Sequence, residues 1–197
     1  LYSGSDRMIS SAEALARLFD DEVGFIPPEE FIIKAEQNGS IVPLGRQIFE
    51  KICTFMRDND MEKFGIRKIG VNLSNVQCMQ EELADELIDI AASCGVPMSK
   101  FDFEITETAT VVSQKKIVKQ NMVKLIGAGA TFSLDDYGIG YSNLVNILKL
   151  PFEHVKIDRS LVWTYFEEEN NILPDVMEMF RNQKLGIVVS GVETRVM

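Results

Sequence analysis

Histidine, cysteine and tryptophan are scarce in this 197-residue chain, which contains one, three and one of them, respectively. An odd number of cysteines without C-x-x-C spacing argues against a disulfide framework and against a zinc site. We therefore expect Cys53, Cys78 and Cys94 to be small, reduced side chains of a cytosolic protein.

Long apolar stretches are also missing. No run approaches the roughly 18 residues that a membrane-spanning helix needs. The opening "LYSGSDRMIS" has neither the basic nor the apolar region of a signal peptide. The sequence therefore predicts a cytoplasmic domain, whether or not the parent protein has a membrane anchor elsewhere.

Basic residues are too few for binding to a polymeric nucleic acid. The chain has 20 Lys and Arg against 30 Asp and Glu, a net charge of −10, whereas phosphate backbones are bound by an excess of positive charge. A small anionic ligand beside metal ions remains compatible with this charge. The content of 46% hydrophobic and 25% charged residues is typical of a globular domain with one sizeable core.

Apolar, strand-like runs alternate with amphipathic patterns along the chain. Such runs begin near residues 67, 100, 130 and 152, at intervals of 33, 30 and 22 residues, which is the length of a βα unit. Others lie at 7–15 and 186–193, and helical patterns occupy 25–39, 44–60, 79–95 and 113–129. The order predicts parallel strands in one α/β domain spanning residues 1–197, either a barrel or a doubly wound sheet.

Polar side chains stand at the ends of these runs, where parallel α/β folds form their active face. Carboxylate and amide oxygens favour Mg²⁺, Mn²⁺ or Ca²⁺ over zinc. Adjacent carboxylates in "TFSLDDYGIG" could hold two ions about 3.5–4 Å apart, as in-line phosphoryl displacement requires, and a nearby lysine could stabilise a phosphate oxygen. The residues concerned are Glu13, Asn72, Glu104, Asp135, Asp136, Lys156 and Asp158.

Seven motifs occur in order over nearly the whole chain: "AEALAR" (12–17), "FIPPEEFIIKAEQNGSIVPLG" (25–45), "VNLS" (71–74), "FEITET" (103–108), "LDDYGIGYSNL" (134–144), "VKIDRS" (155–160) and "GVET" (191–194). In this order they resemble the EAL domain family of cyclic-di-GMP phosphodiesterases.

The resemblance implies a modified TIM-like (β/α) barrel with one antiparallel strand. It also implies hydrolysis of cyclic-di-GMP to linear pGpG with Mg²⁺ or Mn²⁺, and Ca²⁺ as an inhibitory ion. Both ends of the chain are shorter than the family pattern, so we expect the start of the first strand and the last βα unit to be missing. The implied partners are cyclic-di-GMP, a second copy in a homodimer, and sensory or diguanylate-cyclase domains of the parent chain.

The same resemblance assigns residue roles. Glu13, Asn72, Glu104 and Asp135 would bind one metal and Asp136 the second, while Lys156 would contact the attacking water. Asp158 would be a nearby acid, and Glu107 would hold the loop after Asp136. The ligand-binding residues would be Arg17, Pro28 and Glu193.

Ser190 departs from the family pattern, because members that hydrolyse the substrate have a glutamate there. A hydroxyl brings no negative charge to a dication and is a weak base. Ile139 similarly replaces a threonine in the loop. We therefore expect weakened hydrolysis, with an inactive cyclic-di-GMP receptor or protein-interaction domain as the alternative. A metal-dependent lyase or isomerase of the enolase type is less compatible, because no second basic residue stands opposite Lys156.

Overall fold

A six-stranded parallel sheet forms the centre of the computed structural model, which describes residues 2–3, 8–106, 115–139, 147–168 and 171–192. The strands are β1 (Tyr2–Ser3), β2 (Met8–Ile9), β3 (Ser11–Ala14), β4 (Leu18–Asp20), β5 (Gly24–Ile26), β6 (Lys68–Asn72), β7 (Phe101–Thr106), β8 (Thr131–Tyr137), β9 (His154–Ile157) and β10 (Gly186–Val189).

The sheet has the order β10-β9-β8-β7-β6-β3, and all five pairings are parallel. It curls into a half-barrel, which confirms the predicted TIM-like class. The antiparallel strand that the resemblance implied is not among these six strands. Antiparallel pairing among the described residues joins β1 to β2 and β4 to β5, outside the main sheet.

Among the described residues, helices connect β3 to β6, β6 to β7, β7 to β8 and β9 to β10, as parallel crossovers require. They are α1 (Pro28–Asn38), α2 (Ile41–Asp58), α3 (Asn75–Cys78), α4 (Leu83–Ser93), α5 (Lys115–Gly127), α6 (Arg159–Glu168) and α7 (Ile172–Asn182), with 3₁₀ turns at Met61–Phe64 and Met98–Lys100. Among the described residues, no helix has both the length and the apolar character needed to cross a membrane.

Helix α1 shows how local sequence sets these boundaries. Pro28 occupies its first turn, where the missing N–H costs nothing, and Glu29 and Glu30 lie at the positive end of the helix dipole. Gly39 ends the helix with φ 79°, a left-handed conformation that glycine adopts without strain.

Aromatic packing joins the sheet to its helices. Phe49 of α2 lies 4.8 Å from Phe101 and 5.8 Å from Phe103, between ring centroids, and Phe103 lies 5.5 Å from Phe132 of β8. All four side chains are at most 1% exposed. Because side chains alternate along a strand, the burial of Phe101 and Phe103 on one face of β7 directs Glu104 to the other face.

The three cysteines are free thiols, as the sequence predicts. Cys53 and Cys78 are buried and Cys94 is half-buried. Burial raises the pKa of Cys53 and that of Cys78 to about 12. These two thiols are therefore protonated packing residues at neutral pH.

We expect Phe103→Ala to lower the free energy of unfolding by roughly 3–5 kcal/mol, because it removes a ring from the centre of the core. Phe19 is 71% exposed, so Phe19→Ala should cost less than about 1 kcal/mol. Urea denaturation followed by circular dichroism measures both. Equal losses for the two variants would contradict this description of the core.

Candidate active site

Three carboxylates meet at the carboxyl edge of the sheet. Glu13 comes from β3, Glu104 from β7 and Asp135 from β8, and each offers an oxygen within 4.8 Å of the others. Parallel pairing also places Asn72 of β6 beside Glu104 of β7, since these two residues are partners in the register of the two strands. We refer to Glu13, Glu104 and Asp135 as the carboxylate cluster.

Lys156 of β9 lies within the carboxylate cluster. Its Nζ is 2.7 Å from Glu104 Oε2, 3.2 Å from Glu13 Oε2 and 3.2 Å from Asp135 Oδ1. Burial opposes its charge, but the surrounding carboxylates prevail and hold the pKa of Lys156 above its usual range. The amine is therefore a permanent cation at physiological pH.

One ammonium does not neutralise three carboxylates. Glu104 is 1% exposed, and this burial raises its pKa to about 8; the charges of Glu13 and Asp135 add to the rise, while Lys156 opposes it. For Glu13, burial is outweighed by hydrogen bonds from Asn72 and Lys156 and by the charge of Lys156, so its pKa is lowered. Glu104 is therefore the acid of the cluster that binds a proton most readily.

The donor atoms fit a hard divalent cation. Oε1 of Glu104 is buried and, among the described residues, has no hydrogen-bond partner, which is costly unless a ligand satisfies it. Asn72 Nδ2 lies 2.7 Å from Glu13 Oε1; since a carboxylate accepts, the amide donates and Asn72 Oδ1 is available to a cation. Three carboxylates and one amide oxygen form a set that suits Mg²⁺ or Mn²⁺.

Gly70 makes room for this cluster and was not recognised from the sequence. A Cβ at this position would collide with Oε1 of Glu104 and lie 3.5 Å from Cγ of Glu13. A glycine inside the strand pattern "RKIGVNLS" is itself the signal that could have identified it, because such glycines often mark a close approach.

Two further acids lie beside the cluster, at the ends of β8 and β9. Burial raises the pKa of Asp136, and the charges of Asp135 and Asp158 raise it further, while Lys156 lowers it. Asp136 has φ 55°, an unusual backbone conformation that turns the chain sharply after Asp135. Asp158 accepts a hydrogen bond from the Ser160 N–H at 2.8 Å, and its own N–H donates to Tyr137 at 3.0 Å, tying the two strand ends together.

Three other predicted residues, Ser190, Arg17 and Pro28, are also described by the structure. Ser190 follows β10, where its N–H donates to Ile157 at 3.0 Å, Arg17 is exposed and donates to the carbonyl of Ala16, and Pro28 opens α1. Within the described part of the chain, no hydrogen bond or ion pair connects Ser190, Arg17 or Pro28 to the cluster. Glu107 and Glu193 fall outside the described residues.

The family model described as "EAL domain" matches residues 2–197. The chain belongs to the EAL domain family. The family that the motifs indicated is thereby confirmed.

Relatives of this EAL domain include the oxygen sensor protein DosP of Escherichia coli, which is 30% identical over 93% of this chain and 23% of its own length. The bifunctional diguanylate cyclase/cyclic di-GMP phosphodiesterase MucR of Pseudomonas aeruginosa is 31% identical over 92% of this chain and 27% of its own length. The EAL domain thus spans about a quarter of the curated relatives that it matches.

A solved structure, the PaMucR phosphodiesterase in complex with c-di-GMP, superposes with a TM-score of 0.82 at 29% identity. The match covers 93% of this chain and 75% of that one. The half-barrel is therefore the EAL fold.

The raised pKa of Glu104 predicts proton release when a metal binds. Below about pH 8 the cation must displace the Glu104 proton. We therefore expect Mn²⁺ to release about one proton at pH 7 and almost none at pH 9, with affinity that rises with pH up to about 8.

Calorimetry in buffers of different ionisation enthalpy measures this release. Glu104→Gln should bind Mn²⁺ more weakly and release no proton. Asp175→Asn, at an exposed acid of α7, should behave as the wild type does. Mn²⁺ binding at pH 7 without proton release would contradict the protonation of Glu104.

Proposed function

We propose that this EAL domain hydrolyses cyclic-di-GMP to linear pGpG with Mg²⁺ or Mn²⁺. The observation that carries the proposal is the carboxylate cluster around Lys156 at the carboxyl edge of the sheet. The similarity to MucR, a bifunctional diguanylate cyclase/cyclic di-GMP phosphodiesterase, and to the PaMucR phosphodiesterase in complex with c-di-GMP supports the choice of substrate.

In this proposal Glu13, Asn72, Glu104 and Asp135 hold one cation, and Asp136 and Asp158 contribute to a second. The bound dications would lower the pKa of the attacking water and neutralise charge on the phosphate. The Lys156 ammonium, fixed by hydrogen bonds to two carboxylates, would orient the water and stabilise the phosphate oxygen on which charge develops.

The remaining assignments belong to the same proposal. Arg17 follows β3 in the chain and Pro28 begins α1 after β4 and β5; we assign them to the phosphate and guanine of the ligand. Glu107 would hold the loop after Asp136, and Glu193 would be a further ligand contact. A homodimer, and sensory or diguanylate-cyclase domains in the parent chain, complete the proposed partners.

A second candidate function is that of a cyclic-di-GMP receptor that does not cleave its ligand. Ser190, which follows β10, favours this function, because the family resemblance implies a glutamate at this position in members that hydrolyse the substrate. A hydroxyl supplies neither the negative charge that a second dication needs nor an effective base. The ligand set for the first cation is unaffected by this substitution.

Cyclic-di-GMP turnover tests the proposed function. We expect pGpG to form in the presence of excess Mn²⁺ at well below about 1 per second, the lower end of common enzyme rates. Asp135→Asn should abolish formation, since it removes a cluster carboxylate, whereas Asp175→Asn should not change it. Liquid chromatography measures the product.

Calorimetry with cyclic-di-GMP in Mg²⁺, Mn²⁺ and Ca²⁺ separates binding from cleavage. Binding without pGpG would support the receptor function. Absence of binding with every ion would overturn both candidates.

Ser190→Glu should raise turnover by about tenfold or more, which corresponds to about 1.4 kcal/mol of barrier. The added carboxylate would complete the second cation site. Ser190→Ala is the matched control and should leave turnover unchanged, because the Ser190 side chain makes no hydrogen bond among the described residues. A Ser190→Glu variant that binds cyclic-di-GMP but cleaves no faster would refute this assignment.

A further inference from the structure

Two buried amides, Gln77 of α3 and Asn121 of α5, lie outside the carboxylate cluster. Each is 5% exposed, although burying a polar side chain is unfavourable unless it is hydrogen-bonded. Both hold the segment that follows β6, and β6 ends with Asn72. Their contacts therefore bear on the position of a proposed metal ligand.

Gln77 and Ser74 form a reciprocal capping box. The Ser74 N–H donates to Gln77 Oε1 at 3.1 Å, and the Gln77 N–H donates to Ser74 Oγ at 3.3 Å. Ser74 is only two residues beyond Asn72, and the intervening Leu73 N–H donates to the Glu104 carbonyl at 2.9 Å. The backbone leaving Asn72 is thus fixed at consecutive residues.

Gly45 lets α2 approach the Gln77 amide. A Cβ on Gly45 would overlap the amide nitrogen of Gln77 and lie 2.7 Å from its amide carbon. Glycine inside a helix is less favourable than alanine by about 1 kcal/mol, so this position needs another reason for glycine. The close packing against Gln77 provides that reason.

Asn121 holds the far end of the same segment. Its Nδ2 donates to the carbonyls of Cys78 at 3.1 Å and of Gln80 at 2.7 Å. These carbonyls lie at and just beyond the end of α3, where helical partners are lacking. The residues from Ser74 to Gln80 are therefore held by α2 on one side and by α5 on the other.

We propose that Gln77 and Asn121 are positioning residues for Asn72, and that Gly45 acts through Gln77. The Asn72 side chain is exposed, so packing does not orient it; the backbone and one hydrogen bond to Glu13 do. Residues that orient metal ligands typically change metal affinity 10- to 100-fold when altered. This inference rests on the proposed function, because Asn72 is there a metal ligand.

Mn²⁺ affinity measured by calorimetry tests the proposal. Gln77→Ala, Asn121→Ala and Gly45→Ala should each weaken binding by roughly 10-fold, the lower end of that range, at a temperature where thermal denaturation shows every variant to be folded. Val96→Ala is the control for lost stability: Val96 is buried between α4 and β7, before the amino end of β7, whereas Asn72 lies at the carboxyl end of β6. It should lower the melting temperature and leave Mn²⁺ affinity unchanged.

A double variant separates Gly45 from Gln77. If alanine at 45 acts only by displacing the Gln77 amide, Gly45→Ala/Gln77→Ala should bind Mn²⁺ as Gln77→Ala does. If the losses of Mn²⁺ affinity in the two single variants add in the double variant, Gly45 does not act through Gln77. Wild-type affinity in Gln77→Ala, or an equal loss in Val96→Ala, would overturn the positioning role itself.

The metal-free protein provides a second readout. The side-chain amide resonances of Asn72, identified by their loss in Asn72→Ala, should shift in Gln77→Ala and stay in place in Val96→Ala. If the wild type did not bind Mn²⁺, the proposed function would fail, while this shift would still support the positioning of Asn72. Unshifted resonances would refute it.

Discussion

The buried ammonium of Lys156 among three carboxylates is the interaction on which the site depends. Removing these charges from water is costly, and a buried ion pair seldom recovers the whole cost. The packing on the opposite face of the same strands offsets it: Phe103 and Ile105 flank Glu104 on β7, and both are at most 1% exposed. The core therefore stabilises a group of charges that would not hold together alone.

Strand alternation connects that core to the chemistry. A slip of one residue in the register of β7 would exchange Phe103 for Glu104 and expose the aromatic face, so the apolar packing fixes the register. Parallel pairing then aligns Asn72 with Glu104 and Asp135 with Thr106. The polar edge is thus a geometric consequence of where the phenylalanines lie.

Much of this architecture could be predicted because its signals are local. Strands β6 to β10 fall within apolar runs, and α1 begins at Pro28 and ends before Gly39. The pair β4–β5 was missed because its strands have three residues each and Phe19 is 71% exposed. The run from residue 7 to 15 divides at Ser10, whose carbonyl accepts from the Arg67 N–H. Long-range contacts of this kind leave no periodic pattern in the sequence.

The candidate site divides in the same way. Strand-end polarity indicated Glu13, Asn72, Glu104, Asp135 and Lys156, but not that one ammonium faces three acids or that burial raises the pKa of Glu104. The raised pKa arises from burial and distance, which only the folded chain defines.

The proposed ligands of the first cation are separated from Ser190 in the strand order of the sheet. The proposed ligands of the first cation stand on β3, β6, β7 and β8, whereas Ser190 follows β10 at the other side of the sheet. Among the described residues no hydrogen bond joins Ser190 to the cluster, so in the proposed function a change there would affect the second cation site and leave the first in place.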